Sequence, residues 1–332
     1  MNPAKCDDLD YIQFLIAAQR VYSTTEAARC DPREKPARPA HDAYTRLLRR
    51  QPPDTDALWA EVQPCVQLKG GMLVLDDSTL DKPYARHMDL VNRHWSGKHK
   101  RVVWGINLIS LLWTAGDARF PVDCRLYDKV HDGLSKNDHF RAMLTTAHAR
   151  GFAPELVAFD SWYGSLDNLK QVRACDWHWL TQLRINRQVD PDRSGNRPVT
   201  DVLVDRAGSV VHLKGYGLIR LFKIATADGD IEYWATSRLD CTAEQVAAEV
   251  LQLWHIEEYH RAIKQFCGVE RAQHRTAVAQ RNHIVFALRA FLRLECHRLK
   301  TGVSWFDAKH QIVRDAIRAY LANPTYQLWS TA

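Results

Sequence analysis

The chain has 332 residues, of which 46% are hydrophobic and 25% charged, with 45 Lys plus Arg against 39 Asp plus Glu. That length fits one main core carrying an appended or inserted module, and the composition excludes wholesale disorder. A net charge of +6 permits a polyanionic partner without requiring one.

The opening stretch MNPAKCDDLD has no apolar h-region, so secretion is not expected. Residues 1–66 read as helical. Tyr11, Phe14, Leu15 and Ala18 recur at helical spacing, and Ser23 followed by Glu26 forms a capping box for a short helix over Thr24–Arg29. A polar, Pro-rich loop follows, and then a candidate helix over Asp42–Arg50 that carries Arg46, Arg49 and Arg50. Pro52 and Pro53 stop it, and Asp54 can cap the next helix, Thr55–Val62. Two short helices with arginines on the second suggest a DNA reader, but the loop between them is far longer than a helix-turn-helix turn. Nine basic and nine acidic groups in residues 1–60 suit a plain helical bundle equally well.

Strand chemistry begins at residue 70. Gly70-Gly71 precedes the apolar run Met72–Leu75, which ends in Asp76-Asp77-Ser78-Thr79. Arg101–Trp113 and Phe120–Tyr127 flank the turn Thr114–Asp117 and look like two hairpin-linked strands. A helix is expected over Lys136–Ala149, closed by Gly151, and a buried strand over Leu156–Phe159 ends at Asp160. A helix near Ser165–Arg173 and a strand over Trp177–Ile185 complete a β-β-β-α-β-α-β order, which implies a mixed sheet with right-handed crossovers. Residues 186–240 are rich in turns, with strand-like pieces at Ser209–Leu213 and Ile231–Thr236, and read as a β-rich insertion. Thr242 then caps a long helix through about Cys267, and helices near 277–300 and 304–322 finish the chain. The longest nearly apolar run, Val102–Trp113, is interrupted by Asn107 and far short of the roughly 20 residues that span a bilayer, so no membrane association is expected. The eight cysteines lie at least 24 residues apart, which argues for reduced thiols in a cytosol and against a zinc knuckle.

Asp77 and Asp160 each lie within two residues of the end of a four-residue apolar run, and in open α/β sheets sites gather at the carboxyl ends of strands. Each reads equally well as a turn residue ending a strand. Two such acids on adjacent strands would form a hard, oxygen-rich site suited to Mg²⁺. The long helix offers a third acid. Val246, Val250 and Leu253 make an apolar stripe whose next position is Glu257, and Arg261 and Lys264 share its face. A carboxylate in a core-facing stripe is costly unless paired, although a Glu257–Arg261 ion pair on a solvated face is the plainer reading of the helix alone.

The blocks Leu75–Lys82, Phe159–Tyr163 and Trp254–Glu257 with Lys264 resemble the DDE transposases of bacterial insertion sequences, in the branch with a Tyr-Arg-Glu-Lys signature and a β-rich insertion. Residues 93–99 and 132–136 also look like that family. The resemblance covers roughly residues 70–270. It implies an α/β fold: an RNase H-like mixed sheet flanked by helices, with a β-rich insertion, an N-terminal helical domain and C-terminal helices. The divisions it suggests are 1–66, N-terminal helical and a candidate DNA-binding part; 67–185, the first part of the catalytic core; 186–240, the insertion; 241–270, the last core helix; and 271–332, basic and helical. It makes Asp77, rather than Asp76, catalytic together with Asp160 and Glu257, the three holding two Mg²⁺ ions for which Mn²⁺ can substitute. Where the signature has Arg and Tyr, four and seven residues before the glutamate, this chain has Leu253 and Val250. Arg261 is then a candidate to replace the missing guanidinium.

The resemblance implies cleavage and strand transfer at the terminal inverted repeats of an insertion sequence, by cut-and-paste with or without a hairpin step. The partners are double-stranded DNA, both repeats and target, and a second copy of the chain in the DNA complex. The location is the bacterial cytoplasm, at the nucleoid. Lys264 would contact a phosphate near the scissile bond. Residues 92–101, with four basic groups and no acid, offer Lys98, Lys100 and Arg101 to DNA, and the Tyr259–Lys300 stretch holds nine basic residues against two Glu. Trp234 is a candidate to stack on a flipped base and Trp162 a second aromatic contact, although a strand Trp is more often core. A decayed DNA-binding relative and a structure-specific nuclease on the same fold are the rivals. His255 and His260, five apart on a helix, are poorly placed to share one zinc, and no P-loop run occurs.

Overall fold

The structure, a computed structural model, describes residues 4–50, 52, 55–226 and 228–326. Pro53 and Asp54, expected to stop one helix and cap the next, lie outside the described residues. The chain divides into two compact units, Met1–Asp54 with Arg261–Ala332, and Thr55–His260.

The first unit is helical. α1 (Asp8–Ala17) starts at Asp7, whose side chain accepts from the Asp10 backbone N–H in a capping box, and it buries Tyr11, Ile12 and Leu15. α2 (Thr24–Cys30) is capped by Ser23, which accepts from the Glu26 N–H as the sequence indicates, and α3 (His41–Arg50) buries Leu47 and Leu48. These pack with α8 (Ala277–Thr301) and α9 (Trp305–Ala322). Polar contacts lie inside this packing: Tyr11 Oη is 2.9 Å from His283 Nδ1, and Arg289 reaches Asp8 at 2.7 Å.

The second unit is built on a sheet of eleven strands among the described residues. After α4 (Asp56–Val62), β1 (Met72–Asp81), β2 (Asn92–Ser96), β3 (Arg101–Ala115) and β4 (Ala118–Tyr127) are antiparallel neighbours, with β3 paired to each of the other three. α5 (Lys136–Ala149) crosses to β5 (Leu156–Phe159), and α6 (Leu166–Ala174) to β6 (Trp179–Leu183). β1, β5 and β6 run parallel. The order β4-β3-β1-β5-β6 is that of an RNase H-like core.

The turn-rich segment supplies β7 (Gln188–Asp190), β8 (Arg197–Pro198), β9 (Ser209–Leu213), β10 (Gly217–Ala225) and β11 (Ile231–Thr236). β11 pairs antiparallel with β6, so these strands extend the core sheet instead of standing apart from it. α7 (Ala243–Phe266) follows. No helix among the described residues is long and apolar enough to cross a membrane.

Two details differ from the sequence reading. β1 does not end at Leu75. It continues through both aspartates to Asp81, because Ser78, Thr79 and Leu80 stay in register with Leu108, Asn107 and Ile106 of β3. And β2, a strand of polar and aromatic residues, forms on the outer edge of β3 where no apolar pattern announced it.

β1 and β3 approach so closely that Gly105 is required between them. A Cβ there would lie 2.6 Å from the Leu80 carbonyl oxygen, a backbone atom that cannot turn aside. Gly105→Ala should therefore cost about 1–3 kcal/mol, read as a lower thermal midpoint, whereas the open-space substitution Gly97→Ala should leave the midpoint nearly unchanged.

Candidate active site

The site assembles where β1 and β5 lie side by side. Their parallel register pairs Leu75 with Phe159, so each chain passes from buried apolar residues directly into its acids, Asp76-Asp77 on one strand and Asp160 on the other. β5 ends at Phe159, as expected, and the Asp160 carboxylate Oδ1 accepts the backbone N–H of Trp162 at 2.9 Å and of Tyr163 at 3.3 Å. Burial raises the Asp160 pKa above the ordinary carboxylate value, and the neighbouring Asp77 adds to the rise against the pull of those two N–H groups.

Strand alternation sends the two aspartates of β1 to opposite faces. Asp77 shares its face with Asn107 of β3, whose Nδ2 donates to Oδ2 at 2.6 Å. Lys136, at the start of α5, donates to the same oxygen at 2.7 Å, and the Tyr163 hydroxyl donates to Oδ1 at 2.8 Å. Burial alone would raise the Asp77 pKa, but the Lys136 charge and these three hydrogen bonds outweigh it, and the carboxyl stays below its ordinary value. Asp76 has no such set. It lies on the face toward α7, with His260 Nδ1 3.9 Å from its Oδ2. Burial, and then the charges of Asp77, Asp160 and Glu257, push its pKa well above the ordinary value. His94 on β2 is buried, and desolvation together with Lys136 lowers its pKa to about 4, so it is a neutral imidazole at physiological pH.

Glu257 is on α7, but not where the apolar stripe placed it. The core-facing residues of that stretch are Ile256, Tyr259 and Ile263, with Tyr259 Oη 3.4 Å from Ser110 Oγ and His255 Nδ1 2.8 Å from Thr114 Oγ1. Val250 and Leu253 are only half-buried and Glu257 is exposed. Glu257 therefore bears none of the desolvation cost of a carboxylate in a core-facing stripe, in keeping with the solvated-face reading. Its charge nonetheless reaches Asp76, so the four acids share one neighbourhood.

Tested against a divalent cation, the donor chemistry fits: these are hard carboxylate oxygens in a partly desolvated cleft where like charges need a cation. The geometry is not drawn together. Among the described residues no group of three or more His, Cys, Asp or Glu side chains is close enough to hold one metal ion.

The other sequence-derived residues divide by environment. Lys98, Lys100 and Arg101 are all exposed at the β2–β3 turn, beside exposed Trp95 and Trp104, with Lys98 Nζ 3.7 Å from Asp81. Trp162 is 43% exposed and lines a groove with Arg184, Arg187 and Lys214. Trp234 is almost covered within β11, its indole N–H donating to Glu232 at 2.8 Å, and so presents no open ring face for a base. In the helical unit, Arg261 is exposed, and Lys264 is half-buried, 3.4 Å from Glu270.

Sequence reasoning did not assign roles to Asn107, Lys136 or Tyr163. Asn107 left a signal, a lone amide in a long apolar strand, since a polar group at such a position requires a partner.

The Asp76 shift has a consequence for stability. A carboxyl whose folded pKa is raised binds its proton more tightly in the native state than in the unfolded one. Stability is then fully present below the unfolded pKa, near 3.9, and is lost as pH rises toward the folded value. Without divalent cations, Asp76→Asn should raise the thermal midpoint at pH 8, and this gain should shrink toward zero near pH 4.

Comparison with known proteins gives the family. Residues 114–293, which include Asp160 and Glu257, match the family described as transposase DDE domain, and residues 15–202, which include Asp77 and Asp160, match the family described as DDE superfamily endonuclease. No curated protein sequence matches the chain. Among solved structures, the fold is similar to that of the piggyBac transposase determined by cryo-electron microscopy as a synaptic complex with hairpin DNA. The TM-score is 0.53 at 13% identity, covering 98% of this chain and 74% of that one. With family matches that each span more than half its length, the chain belongs to the DDE transposases, enzymes of the nuclease and strand-transferase class.

Proposed function

We propose that the protein cuts and rejoins DNA at the terminal inverted repeats of a bacterial insertion sequence, with Asp77, Asp160 and Glu257 as its catalytic acids. The observation that supports this most is the parallel pairing of β1 with β5, whose last pair, Leu75 with Phe159, leads directly into Asp76-Asp77 on one strand and Asp160 on the other. Asp77, Asp160 and Glu257 would hold two Mg²⁺ ions, or Mn²⁺ in their place, which when bound supply activation of water or a 3′-hydroxyl and stabilisation of the leaving oxygen. The chain's own groups do the rest. Tyr163 and Asn107 fix the orientation of the Asp77 carboxylate through both of its oxygens. The two backbone N–H groups on Asp160 fix the other acid, so neither depends on DNA for its position.

The exposed basic and aromatic side chains of the β2–β3 turn would lie along duplex DNA, with Lys98, Lys100 and Arg101 neutralising phosphates. Lys264 and Arg261 are proposed as further phosphate contacts, and Trp162 as the aromatic contact nearest the acids. The DNA-bound form is proposed to be a dimer, since two element ends must be held together, and to act in the bacterial cytoplasm at the nucleoid. By division of the chain, residues 67–185 and 241–270 carry the chemistry, 186–240 the insertion, and 1–66 and 271–332 the flanking helices.

A labelled duplex carrying the repeat end, incubated with the protein and Mg²⁺, should yield both nicked and joined products. Asp160→Asn should lower cleavage by about a thousandfold, equivalent to ~4 kcal/mol of barrier. Cleavage that persists in this variant overturns the site assignment, and hydrolysis without joining marks a nuclease instead. Removing Lys98 and Arg101 together should weaken binding across sequences and reduce the slope of log affinity against log salt by roughly 0.9 per lost phosphate contact.

A further inference from the structure

We propose that Lys136 is a built-in counter-cation of the acid site: its ammonium holds, on Asp77 Oδ2, the place that a divalent cation takes, and yields it when the cation enters. This rests on the reading of Asp77 as a metal ligand. Of the three donors to Asp77, Asn107 and Tyr163 are neutral, and only Lys136, at 2.7 Å, brings charge. Both members of the ion pair are 18% exposed, so water does little to replace either partner. Asp160 lies close enough to Asp77 for their charges to interact, so an empty site without Lys136 would leave these like charges uncompensated beside each other.

The ammonium cannot remain when the cation arrives. A divalent cation held by Asp77 would bring a second positive charge next to the ammonium in low-dielectric surroundings, and the two would repel. A departure route is present. The Lys136 ammonium already lies 5.3 Å from the centre of the Trp162 ring, on a flexible four-carbon stem. Trp162 borders a groove of about 830 Å³ that carries Arg184, Arg187 and Lys214. Released from Asp77, Lys136 would add a fourth cation to that groove, so that loading the acid site also raises the groove's attraction for a DNA backbone. Lys136 is thus a positioning residue for the empty site and acts on the chemistry through Asp77.

The test is a calorimetric titration of the full chain with Mn²⁺ in the absence of DNA. Lys136→Met removes the competitor and should bind Mn²⁺ roughly tenfold more tightly than the wild type, whereas Lys136→Arg keeps the charge and should stay near the wild-type affinity. Asp77→Asn should bind more weakly than all three. If Lys136→Met binds no more tightly than the wild type while Asp77→Asn is weakened, the displacement is refuted and the ligand reading stands. If Asp77→Asn binds like the wild type, the ligand reading itself falls and the proposal with it. A second readout needs no variant. Acetylation of Lys136 in the wild-type chain, followed by mass spectrometry, should rise on adding Mn²⁺, and unchanged reactivity refutes the displacement.

Discussion

The structure turns on one constraint: acids placed at the end of a buried parallel strand pair must be compensated by charge or held protonated. Leu75 and Phe159 are fully desolvated neighbours, and the chain emerges from them into three carboxyl groups within a few residues. Each acid meets the constraint differently. Asp77 has an ammonium and two neutral donors, Asp160 has two backbone N–H groups, and Asp76, where burial and the neighbouring acids outweigh a backbone N–H from Asp77, retains its proton well beyond the usual range. Such divergent environments for chemically identical groups are what a site for charge-handling chemistry requires.

The surrounding sheet serves this arrangement. α5 crosses from β4 to β5 and delivers Lys136 from its first turn, while Tyr163 comes from the loop that follows β5, so the partners of Asp77 are fixed by the same crossover that makes β1 and β5 parallel. The strands of the turn-rich segment then prolong the sheet through β11 and β6, which puts Arg184 and Lys214 on the rim of the groove that Trp162 borders. A fold that hosts many chemistries is here specialised by what stands at the strand ends.

Much of the framework was legible in the chain. End signals gave helices to within a residue or two: Ser23 caps α2, and Gly151 follows Lys136–Ala149 in the left-handed conformation. The hairpin of β3 and β4 and the short strand before Asp160 were equally plain, because buried strands are unbroken apolar runs. β2 was not, since its polar residues follow no apolar period and are strand only because β3 has a free edge there. Glu257 was legible as a motif residue, and of the two readings of its helix face, core stripe or solvated surface, its exposure agrees with the second. A helical period says which residues share a face, not at which turn that face leaves the core.

The sequence by itself determined most of the helices, the long apolar strands and the family that its motif blocks resemble, because periodicity, caps and motif residues are local properties of the chain. Only the tertiary structure decided which aspartate of the Asp76-Asp77 pair faces Lys136, that Asn107 and Tyr163 bond it, and that Trp234 is covered while Trp162 is open. These depend on register and crossover, which bring together residues 30 to 86 positions apart, and the sign of a carboxyl's pKa shift follows from such neighbours rather than from its own type.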